Sequence, residues 1–263
     1  MDNYNNRKYD NIQKAKLHYE EMSNNYAKEI EQSIANSIIY DGVTLLKEST
    51  ITSYKSPKCI LIKSDTVSAI YKYDKVNQKL ACLNFASYKY PGGKFLEGST
   101  AQEECLCHES TLYNILKHFE DSYYQYNRQH TNRSLYTDRA IYTPDVLFVH
   151  NNKPLRCAVI TCASPNLHPA YMNRTQSLMT IDNTDALQKR ISFIKNIAEH
   201  NGVDALILGA FGCGVFRQDP YEVALMFKDI FVTSSVSTII YAITPGRNYD
   251  VFRYILSDVC EVV

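Results

Sequence analysis

The chain is 263 residues long with 45% apolar and 21% charged residues, the make-up of an ordinary soluble globular protein, not a disordered or fibrous one. Lys plus Arg number 28 and Asp plus Glu 28, so no global basic field draws it to nucleic acid or an anionic membrane, although local patches stay open. At this length a fold buries roughly three quarters of the surface its unfolded form exposes, enough for one large domain or a medium domain with an extension.

The opening residues Met1-Asp2-Asn3-Tyr4-Asn5-Asn6-Arg7-Lys8 lack the apolar core of a signal peptide. No stretch approaches the ~18–20 apolar residues of a membrane span. Cys59, Cys82, Cys105, Cys107, Cys157, Cys162, Cys213 and Cys260 mostly sit inside apolar runs, as small buried hydrophobes do. The expectation is a cytoplasmic protein without disulfides. Cys105-Leu106-Cys107-His108 has no second ligand pair at finger or ribbon spacing, so no metal is expected.

From Arg7 to about Tyr40 the chain is polar and free of Pro and Gly, with Ile12, Ala15, Tyr19, Met22, Tyr26, Ile30, Ile34 and Ile38 at roughly helical spacing. This predicts one or two amphipathic helices ended by Asp41-Gly42, a helical extension over residues 1–45 packed on a main domain over 46–263. Short apolar strands are expected at Cys59–Ile62 and Leu80–Ala86, the second running into a Pro-Gly-Gly loop, and Ser99 to about Phe119 reads as one helix. Ser122 to Tyr136 reads as an exposed loop, or one whose tyrosines cover the core. Val146–Val149, Cys157–Thr161 and Ala205–Leu208 are near-continuous apolar runs of the kind buried on both faces of a sheet. Helices are expected at Thr184–Asn201 and Pro220–Phe231, a last strand at Thr238–Ile243 and a short helix near Val251–Leu256. Strands alternating with helices argue for an α/β layered domain with a largely parallel sheet.

In such sheets ligands bind beyond the carboxyl ends of strands, and two strand exits here are rich in glycine. In the first, Gly92-Gly93 permits close backbone approach to a ligand. Ser99 with Gln102, and Thr100 with Glu103, then have capping-box spacing, which puts Glu103 and Glu104 in a first helical turn. Acidic residues favour first turns simply because they offset the helix dipole, and that reading stands beside a functional one. Neighbouring helical residues lie ~100° apart, so at most one of the two carboxylates points straight at a reacting atom. In the second exit, Gly212 and Gly214 precede a helix starting near Pro220. That turn either presents amides to a phosphate or is a tight connection with Phe211 and Phe216 in the core.

Taken in order, these segments resemble bacterial-type poly(ADP-ribose) glycohydrolases, a branch of the macrodomain fold. The family motif is a Gly-Gly-Gly loop followed after a short gap by Gln-Glu-Glu; here Pro91-Gly92-Gly93-Lys94-Phe95-Leu96 precedes Gln102-Glu103-Glu104. The likeness continues through Asn84-Phe85-Ala86-Ser87, Ser110–Tyr113, Ile141–Val146, Ala163–Asn166 and Gly209–Phe216. It implies a three-layer α/β/α macrodomain with a mixed, largely parallel sheet that binds ADP-ribose and releases it from the chain ends of poly(ADP-ribose), with no cofactor. The protein would be a monomer acting on polymer carried by modified proteins, without direct nucleic-acid or membrane partners. By position Glu104 matches the catalytic acid and Glu103 the neighbour holding hydroxyls of the distal ribose. Asn84, Ser87, Gly92, Gly93, Lys94 and Gln102 match one side of the substrate site, and Gly212, Cys213, Gly214, Val215 and Phe216 the second diphosphate loop. Glu104 would protonate the leaving ribose oxygen and then activate water, a dual role that calls for a pKa near neutrality. Lys94 departs from the third glycine, and at a position of positive φ it would be strained. Two alternatives stay open: a hydrolase of mono-ADP-ribosylated protein or another ADP-ribosyl conjugate, and a non-catalytic ADP-ribose-binding macrodomain.

Overall fold

The computed structural model describes residues 2–42, 55–168 and 176–263. Helices α1 (Asp2–Asn25) and α2 (Ala27–Ala35) open the chain and lead into strand β1 (Ile38–Asp41). Then follow β2 (Lys58–Lys63), α3 (Thr66–Tyr73), β3 (Leu80–Phe85), α4 (Gln102–His108), α5 (Leu112–His118) and α6 (Gln125–Gln129). The remainder is β4 (Arg139–His150), β5 (Lys153–Cys162), α7 (Gln176–His200), β6 (Ala205–Leu208), α8 (Pro220–Ile230), β7 (Thr238–Ile243), α9 (Arg247–Leu256) and β8 (Glu261–Val262).

The strands form one sheet in the order β1-β4-β5-β3-β6-β7-β2-β8. From β5 through β8 every pairing is parallel, and the β1–β4 and β4–β5 pairings are antiparallel. Because side chains alternate across a strand, each apolar run feeds two cores at once. Leu61, Ala81, Leu83, Leu206, Ile239 and Tyr241 face one cluster, where they meet Leu187 and Ile191 of α7, Val223 and Phe227 of α8, and Phe252 of α9. Ile60, Ile62, Cys82, Ile207 and Ile240 face the other, against Ala15 of α1, Ile30 of α2, Val67 of α3, Leu106 of α4 and Leu116 of α5. Helices on both faces make the three-layer α/β/α arrangement that the resemblance implies. Phe227 is fully buried, and its truncation to alanine costs about 3–5 kcal/mol.

Several expectations need correcting. Ile38–Asp41 is a strand, paired with β4 as Ile38–Tyr142 and Tyr40–Ala140, not the end of a helix. The run of β-branched and aromatic residues Ile38-Ile39-Tyr40 outweighs the helical spacing. Ser99–Phe119 is not one helix either. Ser110 Oγ donates to Leu106 O (2.6 Å) and accepts from the Leu112 amide (3.1 Å), while the Thr111 amide donates to Leu147 O of β4 (2.9 Å). That side-chain competition splits α4 from α5. Tyr123, Tyr124 and Asn127 are fully buried, so Ser122–Tyr136 covers the core. Finally, a disulfide joins Cys59 and Cys260, because β8 lies parallel to β2 and brings their Cα atoms to 4.4 Å; the other six cysteines are free.

No described helix is long and apolar enough to cross a membrane, and among the described residues no three His, Cys, Asp or Glu side chains gather as a metal site would need. Lateral pairing in the parallel part sets the exits of β5, β3, β6, β7 and β2 side by side along one edge of the sheet.

Candidate active site

The exits of β3 and β6 border a cleft of about 400 Å³, lined among others by Thr66, Phe85, Gln102, Ser164, Gly212 and Phe216. On its β3 side, α4 begins at Ala101 with no side-chain cap. Neither capping box forms, because Gln102, Glu103 and Glu104 all turn toward the loop that leaves β3. The Gln102 side chain is committed to protein: Oε1 accepts from the Phe85 amide (2.8 Å), and Nε2 donates to Leu83 O (2.9 Å) and Thr66 Oγ1 (3.1 Å). It locks the helix start onto the end of β3.

Glu103 is equally held. The Ser87 amide donates to Oε2 at 2.7 Å and Asn84 Nδ2 to Oε1 at 3.2 Å. Asn84 is itself fully buried and also donates to Thr161 Oγ1 (3.4 Å), and Ser87 Oγ accepts from the Tyr90 amide (3.2 Å). Burial pushes the Glu103 carboxyl up to about 8; the Ser87 amide pulls against this and the charge of Glu104 adds to it.

Glu104 differs in one respect. It is 6% exposed, and Oε1 accepts from the Lys94 amide at 2.8 Å, but Oε2 has no hydrogen-bond partner among the described residues. A buried carboxylate oxygen left without a donor is rare in folded proteins and points to a role outside the fold's own bonding. The two carboxylates leave the helix in different directions yet converge on Gly93. A Cβ there would lie 2.6 Å from Glu104 Oε1 and 2.8 Å from Glu103 Oε2, and φ is +59°. Gly92 lies against Tyr113 and Cys107.

Lys94 lies outside the left-handed region, with φ −108°, so a side chain is unstrained there. That side chain is 70% exposed, and its Nζ is 3.9 Å from Glu97. What position 94 gives the site is its backbone N–H.

On the β6 side Gly212 has φ +76° and packs directly on Ser164 Oγ, so no side chain fits. The Cys213 thiol is half-buried, and burial pushes it up to about 12, which keeps it neutral. Gly214 has open space where a Cβ would be, and Val215 is exposed. Phe211 is fully buried, whereas Phe216 is partly buried, lines the cleft and packs edge-on to Tyr136. The β6 exit is therefore a tight connection at Phe211 and an open backbone at Gly214.

The cleft also draws in Asp65, Thr66 and Asn248, which the sequence reading did not single out, and Ser164, which entered it only within the Ala163–Asn166 likeness. Asp65 was findable as a helix cap after an apolar strand; it accepts from the Ser68 amide (2.9 Å) at the start of α3. Asn248 carries no local sequence signal.

A family model for the catalytic domain of microbial-type PARG matches residues 7–151, more than half of the chain. The chain is similar to the crystal structure of poly(ADP-ribose) glycohydrolase from Thermomonospora curvata, at 25% identity over 94% of this chain and 99% of that one, with a TM-score of 0.84. The same enzyme bound to the inhibitor ADP-HPD matches over equal shares at 25% identity and a TM-score of 0.81. Poly(ADP-ribose) glycohydrolase from Deinococcus radiodurans in complex with ADP-ribose matches at 26% identity over 88% of this chain and 98% of that one, with a TM-score of 0.77. None of the curated proteins compared matches this chain. With the fold, the paired glutamates under a glycine loop and the family match all in agreement, the chain belongs to the microbial-type poly(ADP-ribose) glycohydrolase catalytic-domain family.

Proposed function

We propose that this poly(ADP-ribose) glycohydrolase releases ADP-ribose from chain ends, with Glu104 as the acid and then the base. The observation that carries the assignment is the asymmetry between the two glutamates. Both Glu103 oxygens are occupied by protein donors, while Glu104 is anchored through one oxygen and keeps Oε2 unpartnered among the described residues. Geometry decides before pKa does, because a proton donor must reach the leaving oxygen. Glu103, held rigidly and pushed up to about 8, suits a group that fixes ribose hydroxyls.

In this reading Glu104 Oε2 gives its proton to the ribose oxygen of the scissile ribose–ribose bond as the C–O bond breaks. The oxocarbenium-like ribose left behind is stabilised by the adjacent diphosphate, which lies along Gly92, Gly93 and the Gly212–Phe216 turn. The Glu104 carboxylate then takes a proton from water as water adds to the anomeric carbon, which restores the acid. The ADP-ribose complex of the D. radiodurans enzyme and the ADP-HPD complex of the T. curvata enzyme support ADP-ribose as the ligand. Residues 46–263 form the glycohydrolase unit in this proposal. Residues 1–45 are an extension in this proposal, whose helix α1 braces the loop after Lys94: Asn11 Nδ2 donates to Gly98 O at 3.3 Å.

The test is incubation with poly(ADP-ribose) of defined length, following free ADP-ribose and the residual chain lengths by chromatography, with Glu104→Gln alongside. Release of monomers by wild type, with no release by the variant, supports the reading. Early appearance of short oligomers would overturn action at chain ends, and ADP-ribose binding without release would point to a reader or to a mono-ADP-ribosyl substrate. A monomer in a bacterial cytoplasm completes the proposal. A Cys59–Cys260 bond already formed in cell extract quenched with an alkylating agent would argue against that compartment.

A further inference from the structure

Residues 132–136 form an unusual turn beside the cleft. Asn132, Arg133, Ser134 and Tyr136 all have positive φ, at 43°, 53°, 71° and 63°. For a bulky aromatic such as Tyr136 this is an outlier, and such conformations persist only where the surroundings over-determine them, most often at functional sites. The surroundings here do so. Asn132 Nδ2 donates to Tyr136 O (3.3 Å), the Tyr136 amide to Thr131 O (3.2 Å) and the Asn166 amide to Ser134 O (2.8 Å). The fully buried Arg190 joins Asp138 (2.7 Å) to the carbonyls of Leu135 (3.4 Å) and Ala163.

What the turn delivers is the Tyr136 ring. It stacks on Tyr88 with centroids 4.0 Å apart and planes at 10°, and it meets Phe216 edge-on at 6.1 Å. Tyr88 belongs to the segment that ends in Gly92-Gly93, and its hydroxyl is tied to His130 O (2.9 Å) and Thr137 Oγ1 (2.8 Å). Phe216 closes the other loop. Tyr136 thus links the Tyr88 segment to Phe216 in the cleft wall; it is 5% exposed, in a small apolar cluster separate from the two main cores.

We propose that Tyr136, clamped in this left-handed turn and stacked on Tyr88, is a positioning residue that sets Phe216 against the ligand and couples the two glycine loops. The proposal rests on the reading that Phe216 borders the ADP-ribose site. Tyr136 acts through a ring face, while its hydroxyl accepts one long hydrogen bond from Asn166 Nδ2 (3.3 Å), so phenylalanine keeps most of its effect and a small residue does not.

The test is calorimetric titration of the full chain with ADP-ribose for wild type, Tyr136→Phe, Tyr136→Ala, Phe216→Ala and the Tyr136→Ala/Phe216→Ala pair. Tyr136→Phe should hold Kd within about twofold, and Tyr136→Ala should raise it about tenfold, the upper range of one aromatic contact. In the Phe216→Ala background the same change should add almost nothing, because the residue it acts through is gone. An equal loss in both backgrounds, or no loss in either, overturns the proposal. If Phe216→Ala itself leaves Kd unchanged, or wild type does not bind, it is the assignment of the cleft that fails instead. Should Tyr136→Ala not fold, the chain's lack of tryptophan provides a second measurement. Phe216→Trp places a single indole in the cleft wall, and adding Tyr88→Leu should at least double its acrylamide quenching if the stack holds position 216. Unchanged quenching would overturn the coupling.

Discussion

The two glycine-bearing loops occupy neighbouring strand exits, yet their glycines answer to different demands. At Gly93 the demand comes from protein side chains: both glutamate carboxylates close on the space a Cβ would fill. At Gly214 nothing in the protein claims that space. The first loop is shaped around the two carboxylates, and the second leaves its backbone bare. Gly212, wedged on Ser164, only makes the second turn possible. On the proposed function, the same residue type marks chemistry in one loop and contact with a ligand in the other.

The comparison breaks most severely at Glu104. Glu104→Gln should cut release of ADP-ribose from polymer by about 10²–10⁴-fold, the span of general acid–base catalysis, while ADP-ribose affinity stays within a few-fold. Turnover assays beside calorimetry check this, and unchanged turnover would remove Glu104 from the role assigned to it. Next in size, Gly93→Ala should lower kcat by on the order of 10²-fold, because displacing a catalytic group by ~1 Å costs that much. It should also lower stability by more than about 1 kcal/mol, since alanine is placed at φ +59°. Gly214→Ala should do the reverse. Its φ is not left-handed, so stability stays level or rises by about 0.4–1 kcal/mol, and any loss appears in ADP-ribose Kd alone.

A smaller effect reads Glu103 through pH. Folded Glu103 keeps its proton up to about 8, whereas the unfolded chain releases it near 4.5. Between those values the folded state binds more protons, so stability present at acid pH is lost as pH rises through the window. In Glu103→Gln that slope disappears. The thermal midpoint of the variant relative to wild type should climb from pH 4.5 to about 8 and level off above it; thermal melts across that range read it directly. The offset from an altered hydrogen bond to Ser87 does not depend on pH, so the slope is the measurement that counts.

How much of this was legible beforehand follows from how local each signal is. β7 was read to the residue and α8 to within one, because an apolar run and a proline after Asp219 are written in consecutive positions. β1 was missed because Ile38 continues the helical spacing of α2, and β8 because two residues make no pattern. The glutamates were found by their motif, but their geometry was not, since Ser87 and Lys94 reach them across 16 and 10 residues of chain. Capping-box spacing at Ser99 and Thr100 even argued for a different use of those side chains. The turn at Tyr136 has no sequence mark at all: a tyrosine at positive φ is imposed by Asn166 and Arg190 from distant elements.

The gentlest test concerns Lys94, the departure from the glycine triplet. The side chain is 70% exposed, and its partner Glu97, at 3.9 Å, is 66% exposed, so the pair is worth about 0–1 kcal/mol at most. The backbone at φ −108° asks for no glycine, and the Lys94 amide that anchors Glu104 is supplied by any residue except proline. Lys94→Gly should therefore keep kcat/KM on polymer within about twofold, while added chain freedom lowers stability by roughly 0.5–1 kcal/mol. A fall of about tenfold that deepens at low salt would mean that the ammonium meets substrate phosphate through its own charge. In that event the first loop would share the ligand-facing task now given to the second, and the contrast between them would narrow to the two carboxylates beneath Gly93.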